Sequence, residues 1–182
     1  MRTIRHGLVY STLVMGLVVA ACHGRQGSAL GEGTSFHVGA GYPRTFGLPD
    51  GSTVVLNPGT SVFVAKGFGK DNREIQLDGE AVFEVVGMPG RPFIVHTRDL
   101  MVEVLDSAGG GARFHADAYR SKPGEEVDLL EGRLRATKSY HSDTDNEPET
   151  LGAGEMVMIN HDIDLMEKEK LSPAELEKLK EK

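Results

Sequence analysis

The histidines are the residues of this sequence with the widest range of catalytic and metal-binding chemistry. They stand at positions 6, 23, 37, 96, 115, 141 and 161. No two of them have the HxH, HxxH or HxxxH spacing that brings two imidazoles onto one metal ion. His96 and His115 fall in segments with a strand pattern, and we interpret each as a half-buried strand residue rather than a ligand. The sequence therefore predicts no local metal site.

Three acidic residues alternate along the chain as in the first half of a calcium-binding loop. They are Asp143, Asp145 and Glu147. The sixth position of such a loop would be Pro148, where the sharp turn needs glycine. We therefore interpret this segment as an acidic loop in solvent.

Paired carboxylates would serve glycoside hydrolysis. Glu80 and Glu84 share one predicted strand and Glu131 lies in another, but nothing in the sequence selects them as a pair. The nucleophile motif GxSxG is absent, and neither glycine-rich segment, 39–41 or 109–111, opens a helix after a parallel strand as a phosphate loop does. We predict a non-enzymatic protein without cofactor or metal. An uncharacterised hydrolase remains an alternative, after the two binding functions described below.

The only cysteine, Cys22, ends an apolar N-terminal stretch. Leu8 to Ala21 carries no charge and follows Arg2 and Arg5. A helix of this length would rise about 21 Å, short of the roughly 30 Å hydrocarbon core, which is typical of a removable signal peptide. The end of the stretch, VAAC, resembles a bacterial lipobox, so we predict that residues 1–21 are a signal peptide and that Cys22 is lipidated. An uncleaved signal anchor and a cleaved signal with a free thiol remain the alternatives.

Residues 22–34 are rich in glycine and serine and are predicted to form a flexible tether. His23, rather than Asp, follows the cysteine. By resemblance to proteobacterial lipoproteins, this favours a periplasmic protein anchored in the outer membrane. Inner-membrane attachment through a signal anchor is the alternative location.

The charge balance is acidic: 20 Lys and Arg against 27 Asp and Glu give a net charge of −7 over 182 residues. A nucleic-acid binder should instead show a basic stripe, so no nucleic-acid partner is expected. The 39% of hydrophobic residues is sufficient for one globular domain.

Residues 35–160 show period-2 alternation broken by glycine-centred turns. The pattern predicts an all-β sandwich or open barrel of about a dozen short, mostly antiparallel strands. We expect hairpin turns at Asp78-Gly79 and at Glu131-Gly132, and pairing of residues 92–97 with residues 100–105.

Residues 161–182 are predicted to be a tail that contains a short helix. Ser172, Pro173 and Glu175 form the signature of a capped helix start. Leu171, Leu176 and Leu179 share one face of the helix, which is too short to be stable unless it docks on the sheets.

Six segments, in order, resemble the FecR domain. They are LPDGSTVVLNPGTSV (48–62), REIQLDGEAVFEVV (73–86), RPFIVHT (91–97), GARFHADAY (111–119), VDLLEGRLRA (127–136) and LGAGEMVMI (151–159). The resemblance covers about residues 43–160. It implies an all-β extracytoplasmic domain of the kind found in regulators that sense TonB-dependent outer-membrane receptors and control a cytoplasmic sigma factor.

Two differences from those regulators shape the functional hypothesis. About seven residues precede the apolar stretch, where the regulators carry a cytoplasmic anti-sigma domain, and about 22 residues follow Asn160, where many carry a receptor-contacting module. We therefore expect no direct anti-sigma activity. We expect a lipid-anchored binding or sensor module with an envelope protein partner, and the candidates for that partner are a receptor or a sigma-regulatory component. The alternative is a structural or carbohydrate-binding envelope module, which the absence of tryptophan disfavours.

The predicted partner contact lies in the less patterned segment FVAKGFGKDN (63–72). There Lys66 and Lys70 flank Phe68 on an otherwise acidic protein. We expect binding through a sheet edge or an apolar strand face, with an exposed Phe68 between the two lysines as the contact for an acidic partner. Residues 140–149 are the second such segment.

Overall fold

The structure is a computed structural model that describes residues 31–105 and 109–181. The predicted signal peptide, Cys22 and the tether up to residue 30 lie outside the described residues. The strands and the helix have the following bounds: β1 Gly33–His37, β2 Arg44–Gly47, β3 Thr53–Leu56, β4 Ser61–Ala65, β5 Glu74–Val85, β6 Ile94–His96, β7 Leu100–Val104, β8 Ala112–Ala118, β9 Gly124–Glu131, β10 Arg133–Lys138, β11 Glu149–Gly152, β12 Glu155–Asn160, β13 Leu165–Lys170 and α1 Pro173–Lys180.

The strands form two sheets that share β5 and together make a nearly closed barrel. One sheet has the order β1-β4-β5-β6-β7-β10-β11 and the other the order β2-β3-β5-β8-β9-β12-β13. The pairs are antiparallel, except that β5 runs parallel to β6. This confirms the predicted all-β, mostly antiparallel fold and the predicted pairing of β6 with β7.

The predicted hairpin at Asp78-Gly79 is wrong, because both residues lie inside the 12-residue strand β5. The strand bends there and passes from one sheet to the other. Gly79 has φ +129°, and a Cβ at this position would lie 2.6 Å from the Cα of Thr60. The Thr60 hydroxyl also bonds both backbone groups of Glu80, at 2.9 and 3.0 Å. The glycine therefore marks a barrel corner, which needs the same left-handed backbone as a turn.

The predicted hairpin at Glu131-Gly132 is wrong for a related reason. β9 pairs with β8 and β12, whereas the next strand, β10, pairs with β7 and β11 in the other sheet. Gly132 has φ +93° and lies against the backbone of Gly111 and Ala112. The chain crosses between the sheets at this point.

The core lies between the two sheets and contains the fully buried rings of Phe83, Phe93 and Phe114. Phe83 stacks on Phe114 with ring centroids 4.8 Å apart and contacts the edge of Phe93 at 6.2 Å. Burial of each ring contributes about 1.5–3 kcal/mol.

The C-terminal helix is confirmed, together with its capping box at Ser172 and Glu175. Its apolar face docks on the second sheet, where Leu171 and Leu179 pack with Met156 and, partly buried, Leu130 and Leu176. Strand β13 lies in the segment predicted to be a tail and pairs with β12 along its length.

An ion pair is buried beneath the segment that resembles the opening of the FecR domain. Arg73 Nε donates to Asp50 Oδ2 at 2.8 Å, and the two side chains are 2% and 0% exposed. Ser52 donates to the same carboxylate, and Arg73 also donates to the carbonyls of Val86 and Arg91. The polar residues of LPDGS thus hold loops together inside the protein.

Candidate functional site

The barrel is open between β1 and β2, which belong to different sheets. Each pairs on one side only among the described strands, β1 with β4 and β2 with β3. We call this opening the β1–β2 seam. Unpaired strand edges offer hydrogen-bonding groups to another chain.

The hydrogen bonds at the strand ends show which backbone groups of β1 face the seam. Val38 N–H donates to Thr60 O at 2.9 Å, and Lys66 N–H donates to Glu32 O at 2.7 Å. Bonded and non-bonded pairs alternate along an antiparallel ladder. The even-numbered residues of β1 therefore bond to β4, and the backbone groups of Gly33, Ser35 and His37 point toward the seam.

The backbone groups of β2 alternate in the same way. Leu48 N–H donates to Ser52 O at 2.8 Å, so Leu48 and Phe46 bond to the β3 side. The backbone groups of Thr45 and Gly47 then face the open side. Both walls of the seam present free strand edges.

The cleft at the seam has a volume of about 1070 Å³. Phe36 of β1 lines it, and its ring lies against that of Phe46 of β2, with centroids 5.3 Å apart, beside the core. The rest of the lining comes from the start of β1, the turn after β2 and the segment 63–68. A cleft of this size accepts an extended segment of several residues.

The β1 edge lacks the residues that usually protect an exposed strand. Its sequence, GTSFH, has no lysine and no proline, and four of its five residues are exposed. By contrast, the edge strand β13, LMEKEK, alternates charges along its exposed length. Charged edges resist pairing with another chain, so β1 is the edge better suited to accept a strand.

Of the predicted contact residues, Lys66 and Phe68 line this cleft and Lys70 follows them in the chain. Lys66 is exposed and pairs with Glu32 at 2.8 Å, and Lys70 is exposed. The expectation of an exposed Phe68 is wrong: its side chain is buried and packs edge-to-face on Phe93 at 5.8 Å. The tight turn that closes with the Phe68 N–H to Ala65 O bond folds the ring inward.

His96 and His115 lie in strands, as predicted. His115 is the more buried, and its ring nitrogens lie 2.8 Å from Asp128 Oδ2 and 2.8 Å from Glu80 Oε1. Its side chain is 4% exposed, so the ring is shielded from solvent. The arrangement fixes strands β5, β8 and β9 to one another.

A buried serine and lysine lie within hydrogen-bond distance, a pair that sequence reasoning missed. Lys138 Nζ donates to Ser142 Oγ at 2.8 Å and to Asp164 Oδ1 at 3.2 Å. Ser142 in turn donates to Asp164 Oδ2 at 2.8 Å. Ser142 is buried and Lys138 is bonded to the Asp164 carboxylate, so both groups are engaged within the protein.

Asp164 instead anchors the segment 140–149 to the start of β13. It accepts hydrogen bonds from Ser142, Lys138, Thr144 and Tyr140, which hold its pKa well below the usual range. Burial, and then the bond to Asp164, raise the pKa of Tyr140 to about 12. The start of the second less patterned segment is therefore fixed rather than free.

The described part of the chain comprises residues 31–105 and 109–181. In these ranges no group of three or more His, Cys, Asp or Glu side chains is arranged to hold a metal ion. In the same part of the chain, no helix is long and apolar enough to cross a membrane.

Comparison with solved structures finds a similar protein in two crystal structures, at 2.50 and 1.65 Å resolution, of a candidate anti-sigma factor from Parabacteroides distasonis ATCC 8503. Each superposes with a TM-score of 0.66 at 29% sequence identity and covers 76% of this chain. This chain spans 60% of the length of those structures. No curated protein matches the sequence.

Comparison with family models gives a match to "FecR protein" over residues 34–135, which is more than half of the chain. The matched range runs from β1 into β10 and includes the buried Asp50–Arg73 pair, the bent strand β5 and both walls of the seam. The family is regulatory, in agreement with the similarity to a candidate anti-sigma factor. The all-β architecture and the family match together show that this protein is a member of the FecR family.

Proposed function

We propose that this protein is a non-enzymatic, lipid-anchored periplasmic binding module that takes up an extended segment of a signalling partner at the β1–β2 seam. The observation that supports this most is the edge of β1, which has no lysine or carboxylate and pairs on one side only. The outward backbone N–H and C=O groups of Gly33, Ser35 and His37 match the hydrogen-bonding pattern of an added strand. Main-chain bonds supply affinity in this mode, and the cleft supplies side-chain specificity.

The partner class follows from the family and from the charge at the seam. Membership of the FecR family supports an envelope signalling partner, such as a TonB-dependent receptor or a sigma-regulatory component. Lys66 lines the cleft and Lys70 is exposed nearby in the same segment, on a protein of net charge −7. We infer that the bound segment carries acidic residues where it passes these lysines, and that Lys66→Glu weakens its capture.

A carbohydrate-binding role has less support. Sugar-binding surfaces use several exposed aromatic rings, whereas Tyr42, at 89% exposed, is the one aromatic side chain of the described residues that is largely in solvent. One exposed ring does not form a sugar-binding surface of that kind.

A proline in β1 tests the seam. Ser35→Pro removes an outward N–H but leaves the bonds between β1 and β4 in place, and an edge strand tolerates proline at such a position. We expect wild type to capture a signalling protein from envelope extract and Ser35→Pro to lose that capture while its melting temperature is retained. Ser35→Ala, which keeps the N–H, is the matched control and should capture normally. Equal capture by all three forms would contradict the seam.

The lipid anchor is tested separately. Metabolic labelling with palmitate should mark wild type and fail to mark Cys22→Ala, and only the wild type should fractionate with the outer membrane. Equal labelling of the two forms, or labelling of neither, would remove the anchor from the proposal without affecting the seam.

A further inference from the structure

We propose that a second surface, distinct from the seam, binds a segment of a partner protein that presents lysine or arginine beside apolar side chains. This surface is a groove of about 400 Å³ on the outer face of the second sheet, and we call it the acidic groove. We define it by Asp117, Glu126, Met158, Ile163, Leu165 and Glu167.

The floor of the groove concentrates exposed apolar side chains. Of the five large hydrophobic residues that are exposed in the described chain, Met158, Ile163 and Leu165 lie here, at 37%, 66% and 41% exposure. Exposed apolar residues are ordinarily scattered, and a cluster of them marks an interaction site.

The acidic residues of the groove form a cross-strand row. Asp117 on β8 is opposite Glu126 on β9, Glu126 is opposite Met158 on β12, and Met158 is opposite Glu167 on β13. The row continues to Glu80 on β5, opposite Asp117. Like charges directly opposite each other destabilise a sheet, so the row needs compensation.

The compensating charges within the protein lie at one end of the row. Lys122 donates to Asp117, and His115 faces Glu80. Asp117 Oδ1 is buried and has no hydrogen-bond partner among the described residues. Glu126 lies in the middle of the row, and Glu167 lies at the other end with the apolar floor, on the side of β13. A cation from a partner would find the two carboxylates and the apolar side chains together.

Glu126 lies in surroundings that disfavour its ionised form. Burial, and then the neighbouring Asp128 carboxylate, raise the pKa of Glu126; Asp117 on β8 acts in the same direction and His115 on β8 opposes it. A carboxyl whose pKa is raised on folding destabilises the folded state at pH values above its unfolded pKa of about 4.3, and this cost vanishes below that pH. Carboxyls with pKa values shifted by burial and by neighbouring charges cluster at functional sites.

Charge complementarity selects the occupant. A basic, apolar segment supplies the cation for Glu126 and Glu167 and covers Met158, Ile163 and Leu165. An anionic lipid surface would be repelled by the same carboxylates, and a second copy of this chain carries a net charge of −7.

The test uses short fluorescent peptides and the purified protein. The first peptide alternates leucine with lysine, the second leucine with glutamate, and the third serine with lysine. We expect the leucine–lysine peptide to bind at least about tenfold more tightly than either control, a difference of about 1.4 kcal/mol. Added salt should weaken its binding.

Variants assign the binding to the groove. Glu126→Gln/Glu167→Gln and Ile163→Ser/Leu165→Ser should each weaken binding of the leucine–lysine peptide about tenfold, while Glu147→Gln and Tyr42→Ser, at exposed positions outside the groove, should not. Equal binding of the three peptides, no binding, or binding that the groove variants leave unchanged would overturn the proposal. Stronger association with phosphatidylglycerol vesicles than with the peptide would do the same.

Stability of the Glu126 variant gives a readout that does not depend on a ligand. Glu126→Gln should raise the melting temperature at pH 7 and leave it unchanged below the unfolded pKa of about 4.3. A lower melting temperature at pH 7 would show that the ionised Glu126 stabilises the fold, and its raised pKa would then no longer support a functional groove. This test does not involve the seam or Ser35→Pro. Either proposal can therefore be contradicted while the other stands.

Discussion

Replacement of Arg73 by methionine is expected to lower the free energy of unfolding by about 3–5 kcal/mol. The change leaves the Asp50 carboxylate buried, at 0% side-chain exposure, without its cation. It also removes the bonds from the guanidinium to the carbonyls of Val86 and Arg91 and its contact with the Phe93 ring at 5.4 Å. For a domain of ordinary stability, of about 5–15 kcal/mol, this is a large fraction of the total.

Urea denaturation measures the effect, and an exposed ion pair provides the control. Arg135 bonds Glu103 at 3.1 Å, but its side chain is 45% exposed, so Arg135→Met should cost less than about 1 kcal/mol. If Arg73→Met cost no more than Arg135→Met, the buried pair would not hold the loops together as described.

Gly79→Val should destabilise the protein by about 2–6 kcal/mol, as the sum of two costs. A valine at φ +129° is strained by about 1–3 kcal/mol. Its Cβ would also lie 2.5–2.7 Å from three atoms of Thr60, and overpacking costs about 1–3 kcal/mol. We expect a large drop in melting temperature or failure to fold.

Two other glycines separate these costs. Gly41 has φ +135° but no atom within 4 Å of a built Cβ, so Gly41→Val should show the backbone strain alone. Gly39 has neither a positive φ nor a close neighbour, so Gly39→Ala should be near neutral. If Gly79→Val and Gly41→Val lowered the free energy of unfolding equally, Thr60 would have to move aside for the valine. The corner would then not be tightly packed.

The strand pattern and the family resemblance predicted the fold class, because alternation and turn residues are local properties. The same local signals misplaced two turns. Asp78-Gly79 and Glu131-Gly132 satisfy the chemistry of a hairpin, but a positive φ at glycine serves equally well where a chain crosses between two sheets. Whether the glycine closes a hairpin or marks a crossing depends on what it packs against. Gly79 packs against Thr60 and Gly132 against Gly111, and neither neighbour is local in the sequence.

The site was predicted only in outline. A sheet edge was expected, but which edges remain open depends on the pairing of all the strands. Phe68 was expected to be exposed because its neighbours are polar and glycine-rich, whereas the turn folds its ring onto Phe93. Strand β13 was missed because LMEKEK carries charges on both faces and lacks period-2 alternation.

The most direct test of the central claim places a photoreactive side chain at Thr34, on β1, in the full chain in living cells. Irradiation should cross-link it to a specific envelope signalling protein, and a second change, Ser35→Pro, should abolish the product without lowering the protein level. The same probe at Glu147, in the segment anchored by Asp164, should give no such product. A product that survives Ser35→Pro, or that forms from Glu147 and not from Thr34, would contradict binding at the β1–β2 seam.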